Sequence, residues 1–344
     1  MNVTTIGIDL AKNSFSLHGV DSHGKMVFRK TLNRAKLLPF LGSLPPCLIG
    51  MEACSGAHYW GRELRKLGHR IGIMAPRFVA PYRKGGKNDG NDAEAICEAV
   101  GRPGMRFVPV KSDEQQAILS LHRVRQGLIK ERTALINRLR GLLSEFGLIM
   151  PKGRYSAQHD IPAILEDAEN GLPMLARRLL HDTYLRVRGL NEQVLAYDRE
   201  LNHWVKDSEP AQRLMTVPGI GAITATAVLA SVGDPKQFKN GRQFAAWLGL
   251  TPRQYTTGGK IRLGRITKKG DAYLRTLLIH GTRAVLSTVK DKDDKLSNWT
   301  KALIARRGYK RAAVALAAKN ARIVWAMMVR GEAYQLKTVQ HTAS

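Results

Sequence analysis

The chain has 344 residues, enough for two or three domains with cores of their own, and carries 55 Lys plus Arg against 28 Asp plus Glu, a net charge of +27. The basic excess recurs along the whole chain, so self-repulsion has to be offset by a polyanion, and nucleic acid is the natural partner. The sequence speaks against a membrane partner and an oxidising compartment. No apolar run reaches the roughly 18 residues of a spanning helix, and the start lacks a signal-peptide layout. Cys47, Cys54 and Cys97 form no Cys-x-x-Cys pair and read as reduced cytosolic thiols without a zinc site.

Residues 3–8 are rich in β-formers and run into Asp9; residues 14–20 and 26–31 alternate, with Asp21-Ser-His-Gly24 as the turn between them. This predicts three strands in hairpin order. A short helix over 34–43 is stopped by Pro45-Pro46, and 47–51 form a buried strand that ends at Glu52. Residues 57–67 read as a helix and 70–74 as a further strand ahead of Pro76. A polar loop over 84–91 leads to a helix opening near Asp92. Elements of these lengths predict an α/β domain over residues 1–110.

Residues 112–147 differ. Leu121, Leu128, Leu135 and Leu142 recur every seven residues, with Ile118, Leu139 and Phe146 in a companion seam, and Ser112 with Gln115 forms a capping-box signature. Arg125 and Arg132 fall in that companion seam. The long helix therefore belongs either to a dimerisation stalk or to an intramolecular hairpin with 174–206, joined by a turn-rich connection from Pro151 to Pro173. The stalk is assigned residues 111–207 and a mostly α-helical C-terminal domain residues 208–344. Within the latter, Val217-Pro218-Gly219-Ile220-Gly221 between two apolar segments resembles a helix-hairpin-helix turn. Pro218, Gly219 and Gly221 there would let backbone N–H groups hold a DNA phosphate. A tight turn without a ligand is the alternative. A short helix at 241–249 and apolar-faced helices at 270–289 and 308–330 complete the C-terminal domain.

Two groups of residues carry chemistry. The first is a loop from 250 to 270, in which Thr256 and Thr257 precede Gly258 and Gly259 among Arg253, Lys260, Arg262, Arg265, Lys268 and Lys269, with no acid from 253 to 269. Glycines allow close backbone approach, and the cations suit a phosphate chain. The loop either places a hydroxyl against that chain or is a charge patch that only binds it. The second group is the four acids Asp9, Glu52, Asp89 and Asp92. The first two follow buried strands, and the last two are three apart where a helix begins. In a sheet with such strands they can converge on one edge, and two Mg²⁺ ions about 3.5–4 Å apart would neutralise them and clamp a phosphodiester. Singly, each acid also suits a turn, surface, loop or N-cap role.

Ile6-Gly-Ile-Asp9-Leu-Ala-Lys12, Met51-Glu52-Ala and Asn88-Asp89-Gly-Asn-Asp92-Ala resemble the Asp-Glu-Asp-Asp pattern of a RuvC-like (RNase H-like) nuclease fold. With Val217-Pro-Gly-Ile-Gly221, Phe244-Ala-Ala-Trp-Leu-Gly-Leu-Thr-Pro-Arg253 and Gly258-Gly-Lys260 onward to Gly270, the series is similar to transposases of the insertion sequence 110 family, 1111-type branch, over nearly the whole chain. The resemblance implies a prokaryotic, cytoplasmic and nucleoid-associated recombinase. Its Asp9, Glu52, Asp89 and Asp92 would hold Mg²⁺, and its C-terminal domain would supply a serine that bonds covalently to cleaved DNA. It also implies a bridge RNA that guides the choice of target and donor duplex, and dimers that pair into tetramers. Where the family has Ser before Gly-Gly, this chain has Thr257, preceded by Thr256. Thr257 or Thr256 can be the nucleophile, or the step uses another group or has been lost. Two other functions stay open from the residues alone: a RuvC-like nuclease using metal-activated water, and a nucleic-acid-binding protein without catalysis.

Overall fold

Six strands make one mixed sheet in the first part of the chain: β1 (Thr5–Leu10), β2 (Ser14–Val20), β3 (Met26–Asn33), β4 (Leu48–Glu52), β5 (Arg70–Met74) and β6 (Phe107–Val108), in the order β3-β2-β1-β4-β5-β6. The computed structural model describes residues 2–86 and 88–335, in two units, Met1–Gln116 and Ala117–Ser344. In the first, β1, β4 and β5 are parallel and the remaining pairings antiparallel. The inner strands read as near-continuous apolar runs because both faces are covered. On one face, α1 (Arg34–Gly42) and α2 (Ala57–Lys66) bury Leu37, Leu41, Ala57, Trp60 and Leu64 with Ile6, Ile8, Phe15, Leu17, Ile49, Met51 and Ile73. A four-residue helix, α3 (Pro76–Val79), leads toward α4 (Asp89–Val100), which covers the opposite face. The two-residue β6 is too short to leave a periodic pattern and was not expected.

In the second unit, α5 (Asp113–Ser144) and α7 (Met174–Lys206) pair antiparallel. Arg125 is ion-paired to Asp198, and Arg132 donates to Asn191 Oδ1 at 2.8 Å. The seven-residue step from 125 to 132 is matched by the step from 198 back to 191. Both arginines of the companion seam thus find partners within the chain. Neither heptad seam is buried throughout: Leu135, Ile118 and Leu139 are buried, but Leu142 and Phe146 are each 41% exposed. The turn-rich connection contains a helix, α6 (Arg154–Glu166), whose Ala157 and Ile161 pack with Leu139, Leu143 and Val187. The capping box opens α5, with Ser112 N–H bonded to Gln115 Oε1 at 3.0 Å and Gln115 N–H to Ser112 Oγ at 3.1 Å.

The rest of the unit is α8 (Glu209–Met215), α9 (Ala222–Val232), α10 (Gly241–Trp247), the strands β7 (Pro252–Thr257) and β8 (Lys260–Ile266), α11 (Ala272–Ser287), α12 (Lys295–Arg307) and α13 (Tyr309–Arg330). Two departures from expectation stand out. The 250–270 stretch is a β-hairpin, and α12 is an additional helix. In addition, α13 meets the length and composition of a membrane span, contrary to the reading that no segment does. Its Ala317, Ala321, Val324 and Met327 are buried with Val228, Phe244 and Leu278, as in a core helix.

Candidate catalytic centre and nucleic-acid interface

A row of three glycines places the acids. Gly7, Gly50 and Gly72 are in register across β1, β4 and β5. A Cβ on Gly7 would stand 2.1 Å from the Ala93 carbonyl oxygen, and one on Gly50 would stand 2.7 Å from Val100 Cβ. The row is the groove in which α4 lies. Side chains alternate along a strand, so the next residues on that face are Asp9 and Glu52. They sit one step beyond the paired Ile8 and Met51, level with each other in adjacent parallel strands. Because Ala93 and Cys97 lie over β1, the first turn of α4 falls at the end of β1 that carries Asp9. Asp89 and Asp92 are in that turn. Asn88 caps it, its Oδ1 accepting from Asn91 N–H at 2.8 Å. The helix dipole favours both carboxylates at this end.

Burial, and then the charges of Asp92 and Asp89, raise the Asp9 pKa above the ordinary carboxylate value, while Arg83 opposes them. The Cys54 thiol is raised by burial and by Asp9 and Glu52. The Arg83 guanidinium is bonded to Asp92. Among the described residues, no three His, Cys, Asp or Glu side chains are close enough together to hold a metal ion. The donor set itself suits a hard divalent cation: all four groups are carboxylates, and the repulsion of Asp9 by Asp92 and Asp89 is a force such an ion would relieve. Asp92 would have to exchange Arg83 for it. Arg83 was not singled out from the sequence, where one arginine among 55 basic residues carries no signal.

The threonines stand on the β7–β8 hairpin. Gly258 and Gly259 have φ of +54° and +74°, the left-handed pair that a two-residue hairpin turn requires. Thr257 is opposite Lys260 and Tyr255 opposite Arg262, whereas Thr256 is opposite Ile261 and Gln254 opposite Leu263. Alternation therefore sends the two hydroxyls to different faces. Thr257 lies on the face with Lys260, Tyr255 and Arg262. Thr256 lies with Ile261 and Leu263, its Oγ1 accepting from Gln254 Nε2 at 3.0 Å. All of β7 is exposed, including Tyr255 at 59%, as are Ile261 and Leu263 on β8. Arg253 sits at the register shift between Pro252 and Gln254, and Arg265 lies further down β8. The base is tightly held. A Cβ on Gly249 would stand 2.3 Å from the Lys269 carbonyl oxygen, and one on Gly270 would stand 1.8 Å from that of Trp247. Lys268 N–H donates to the Gly249 carbonyl at 3.1 Å, and Lys268 itself has φ of +55°.

The Pro218–Gly221 turn joins α8 to α9. Gly219 has φ of +88°, and its carbonyl lies so near Gly281 of α11 that a Cβ there would stand 1.8 Å from it. Asn320 Nδ2 also donates to the Pro218 carbonyl at 2.8 Å. Gly221 begins α9 without a side-chain cap. Sequence reading also missed a buried polar network beside this turn. His122 Nδ1 lies 3.0 Å from the Tyr273 hydroxyl, and its Nε2 lies 3.0 Å from Thr226 Oγ1.

Residues 211–297 match the family model described as "Transposase IS116/IS110/IS902 family". Residues 6–147 match a transposase model of the IS110 Asp-Glu-Asp-Asp type. A "Probable family 20 transposase" of Pseudomonas aeruginosa is 52% identical over 97% of this chain and 99% of its own length. The "Transposase for insertion sequence element IS1111A" of Coxiella burnetii is 45% identical over 97% of this chain and 92% of its own. That for IS1328 of Yersinia enterocolitica is 42% identical over 97% and 99%.

Proposed function

The chain belongs to the IS110 family of insertion-sequence transposases, and from that premise we propose that it cuts and rejoins DNA through a covalent link to Thr257, with the acids of the α/β sheet as its Mg²⁺ site. The observation that carries the reading is the placement of Asp9 and Glu52 side by side at strand ends, with Asp89 and Asp92 in the helix turn at that end. On this reading residues 1–110 are a RuvC-like catalytic domain, 111–207 a stalk, and 208–344 the domain bearing the nucleophile. The Pro218–Gly221 turn is a helix-hairpin-helix element that holds a DNA phosphate at the uncapped start of α9.

Asp9, Glu52, Asp89 and Asp92 would hold Mg²⁺, which when bound supplies a Lewis acid at the scissile phosphate. The chain's own residues do the rest. Thr257 is favoured over Thr256 because it shares a hairpin face with Lys260 and Arg262, while the Thr256 hydroxyl accepts a bond on the apolar face. Thr257 Oγ attacks phosphorus, an Oγ–P bond forms, the P–O3′ bond breaks, and the threonine proton ends on the departing 3′-oxygen. Attack by a 3′-hydroxyl on the Thr257 phosphodiester reverses the step and rejoins a strand. Arg253, Lys260, Arg262, Arg265, Lys268 and Lys269 offset phosphate charge along the hairpin. The net charge of +27 accommodates two polyanions, the DNA duplex and a bridge RNA that selects target and donor. The working form is a homo-oligomer, dimers pairing into tetramers.

The test is to incubate the protein with guide RNA, Mg²⁺ and a nicked suicide duplex, and to look for a denaturant-resistant protein–DNA adduct. Thr257→Ser should form it and Thr257→Ala should not. Normal adduct yield from Thr257→Ala refutes the nucleophile, and free DNA ends without adduct indicate hydrolysis by water instead.

A further inference from the structure

Thr257 shares its face of the hairpin with one aromatic ring. Tyr255 precedes it by two residues on β7, and the residues opposite the two are Arg262 and Lys260. Side chains two apart on an antiparallel strand are separated by about 6.8 Å. The ring belongs to no core, since more than half of Tyr255 is exposed. One edge of it lies over Gly264 of β8, where a Cβ would stand 3.7 Å from Tyr255 Cε2. The glycine gives the ring bare backbone to rest on and leaves the remainder open. Among the described residues the ring has no ring, cation or hydrogen-bond partner, and Lys260 and Arg262 have no ion-pair partner.

The two faces of the hairpin suit different partners. Ile261 and Leu263 stand with Thr256 on the other face, so an apolar protein surface would be met there. The Tyr255 face combines an exposed ring with two unpaired cations, and no acid lies between 253 and 269. Cations for phosphate and a ring for a base are the parts that hold a nucleotide. Attack by Thr257 makes such a base available. When the P–O3′ bond breaks, the nucleotide that keeps the phosphate stays on Thr257, and its base loses the stacking neighbour on the departing strand. We propose that Tyr255 stacks on the base of that nucleotide, replacing the lost neighbour and holding the cleaved end until a strand rejoins it. The choice of nucleotide rests on the Thr257 reading given above; stacking itself needs no covalent bond.

A duplex already broken at the cut tests the stacking without the chemistry. The full-length protein with its guide RNA is titrated with DNA whose first nucleotide after the break carries a 5′-phosphate and 2-aminopurine, a base whose fluorescence is quenched by stacking. The wild type and Tyr255→Phe should quench it. Tyr255→Leu, which still covers Gly264 but has no π face, should not. Making that nucleotide abasic should weaken binding to the wild type about ten-fold, as loss of a base–aromatic stack does, and should leave binding to Tyr255→Leu unchanged. Stacking is refuted if Tyr255→Leu quenches the base and discriminates against the abasic duplex as the wild type does. It is also refuted if Tyr255→Leu alters the oligomeric state while the dependence on the base persists, which would make the ring a contact between subunits. If instead Thr257→Ala still forms the covalent adduct while Tyr255→Leu loses the quench, the nucleophile assignment fails and the stacking stands.

Discussion

Gly7 lies against the backbone of Ala93 so closely that a Cβ would stand 2.1 Å from the Ala93 carbonyl oxygen and 2.3 Å from the Cys97 nitrogen. Both are backbone atoms of α4 and cannot rotate away. Asp9 lies two residues further along the strand and Asp92 one residue before Ala93, so this contact sets the spacing between the strand acids and the helix acids.

Gly7→Ala should therefore lift α4 and separate the acids. Overpacking of this kind costs roughly 1–3 kcal/mol, and contact with fixed backbone puts this case at the upper end. The urea midpoint should fall accordingly, and strand cutting should be lost even where the protein remains folded. Gly86→Ala, where a Cβ meets nothing within 4 Å, should leave both unchanged. Equal stability of Gly7→Ala and wild type would remove the glycine row as the device that positions the site.

Asp9 should make stability fall as pH rises. Burial and the neighbouring Asp92 and Asp89 raise its folded pKa above the unfolded value of 3.8, so the native state binds more protons than the unfolded one in the interval between them. The stabilisation is complete below 3.8 and is lost as pH rises through the folded value. In EDTA at neutral pH, Asp9→Asn should melt above the wild type, and the gap should close toward pH 3.8. Added Mg²⁺ should raise the wild type more than the variant, because binding to the native state stabilises it. Lower melting of Asp9→Asn in EDTA would contradict this.

Arg83 holds Asp92 and lowers the cost of charge on Asp9. Arg83→Ala removes the one cation bonded to Asp92 among the described residues, and with divalent ions absent it should destabilise the protein by roughly 1–3 kcal/mol. Millimolar Mg²⁺ should restore most of that loss. Calorimetric melting with and without Mg²⁺ decides the matter: a deficit that Mg²⁺ does not reduce would mean that Arg83 serves only the fold.

His122 should give the opposite pH dependence. Burial first, and then Arg125, lower its pKa from 6.5 to about 4, against the pull of Asp198. Neutral His122 can donate from Nε2 to Thr226 Oγ1 and accept at Nδ1 from the Tyr273 hydroxyl. Thr226 Oγ1 in turn donates to the Ala222 carbonyl at 2.8 Å. The stability from this arrangement is present above about 6.5 and is lost as pH falls toward about 4. That loss amounts to roughly 3–4 kcal/mol. In His122→Gln, urea midpoints measured across this range should show a shallower slope than the wild type. An unchanged slope would place the titration elsewhere.

Much of the fold was legible because it is encoded locally. A run of β-formers gave β1, alternation gave β2 and β3, the apolar runs gave β4 and β5, and the Ser112–Gln115 box marked the start of α5 within one residue. Other elements left weak local signals. Pro162 inside α6 resembles a breaker, β6 is two residues long, and α12 has no clean apolar stripe. The hairpin at Gly258-Gly259 was read as a loop because its strands bury nothing and so carry no inside-outside pattern.

The sequence by itself singled out the residues proposed to carry chemistry. Four acids in a chain this basic, and two hydroxyls before a glycine pair, are chemical facts independent of folding. It also fixed the local elements that hold them, since caps, turns and periodicity act over a few residues. Tertiary structure alone decided how those residues are grouped. The glycine row brings Asp89 and Asp92 to the strand end of Asp9, and Arg83 joins Asp92. The hairpin register separates Thr257 from Thr256, and Arg125 finds Asp198. The reason is physical: such neighbours are set by packing shape and strand register between segments far apart in the chain, where no local pattern reaches.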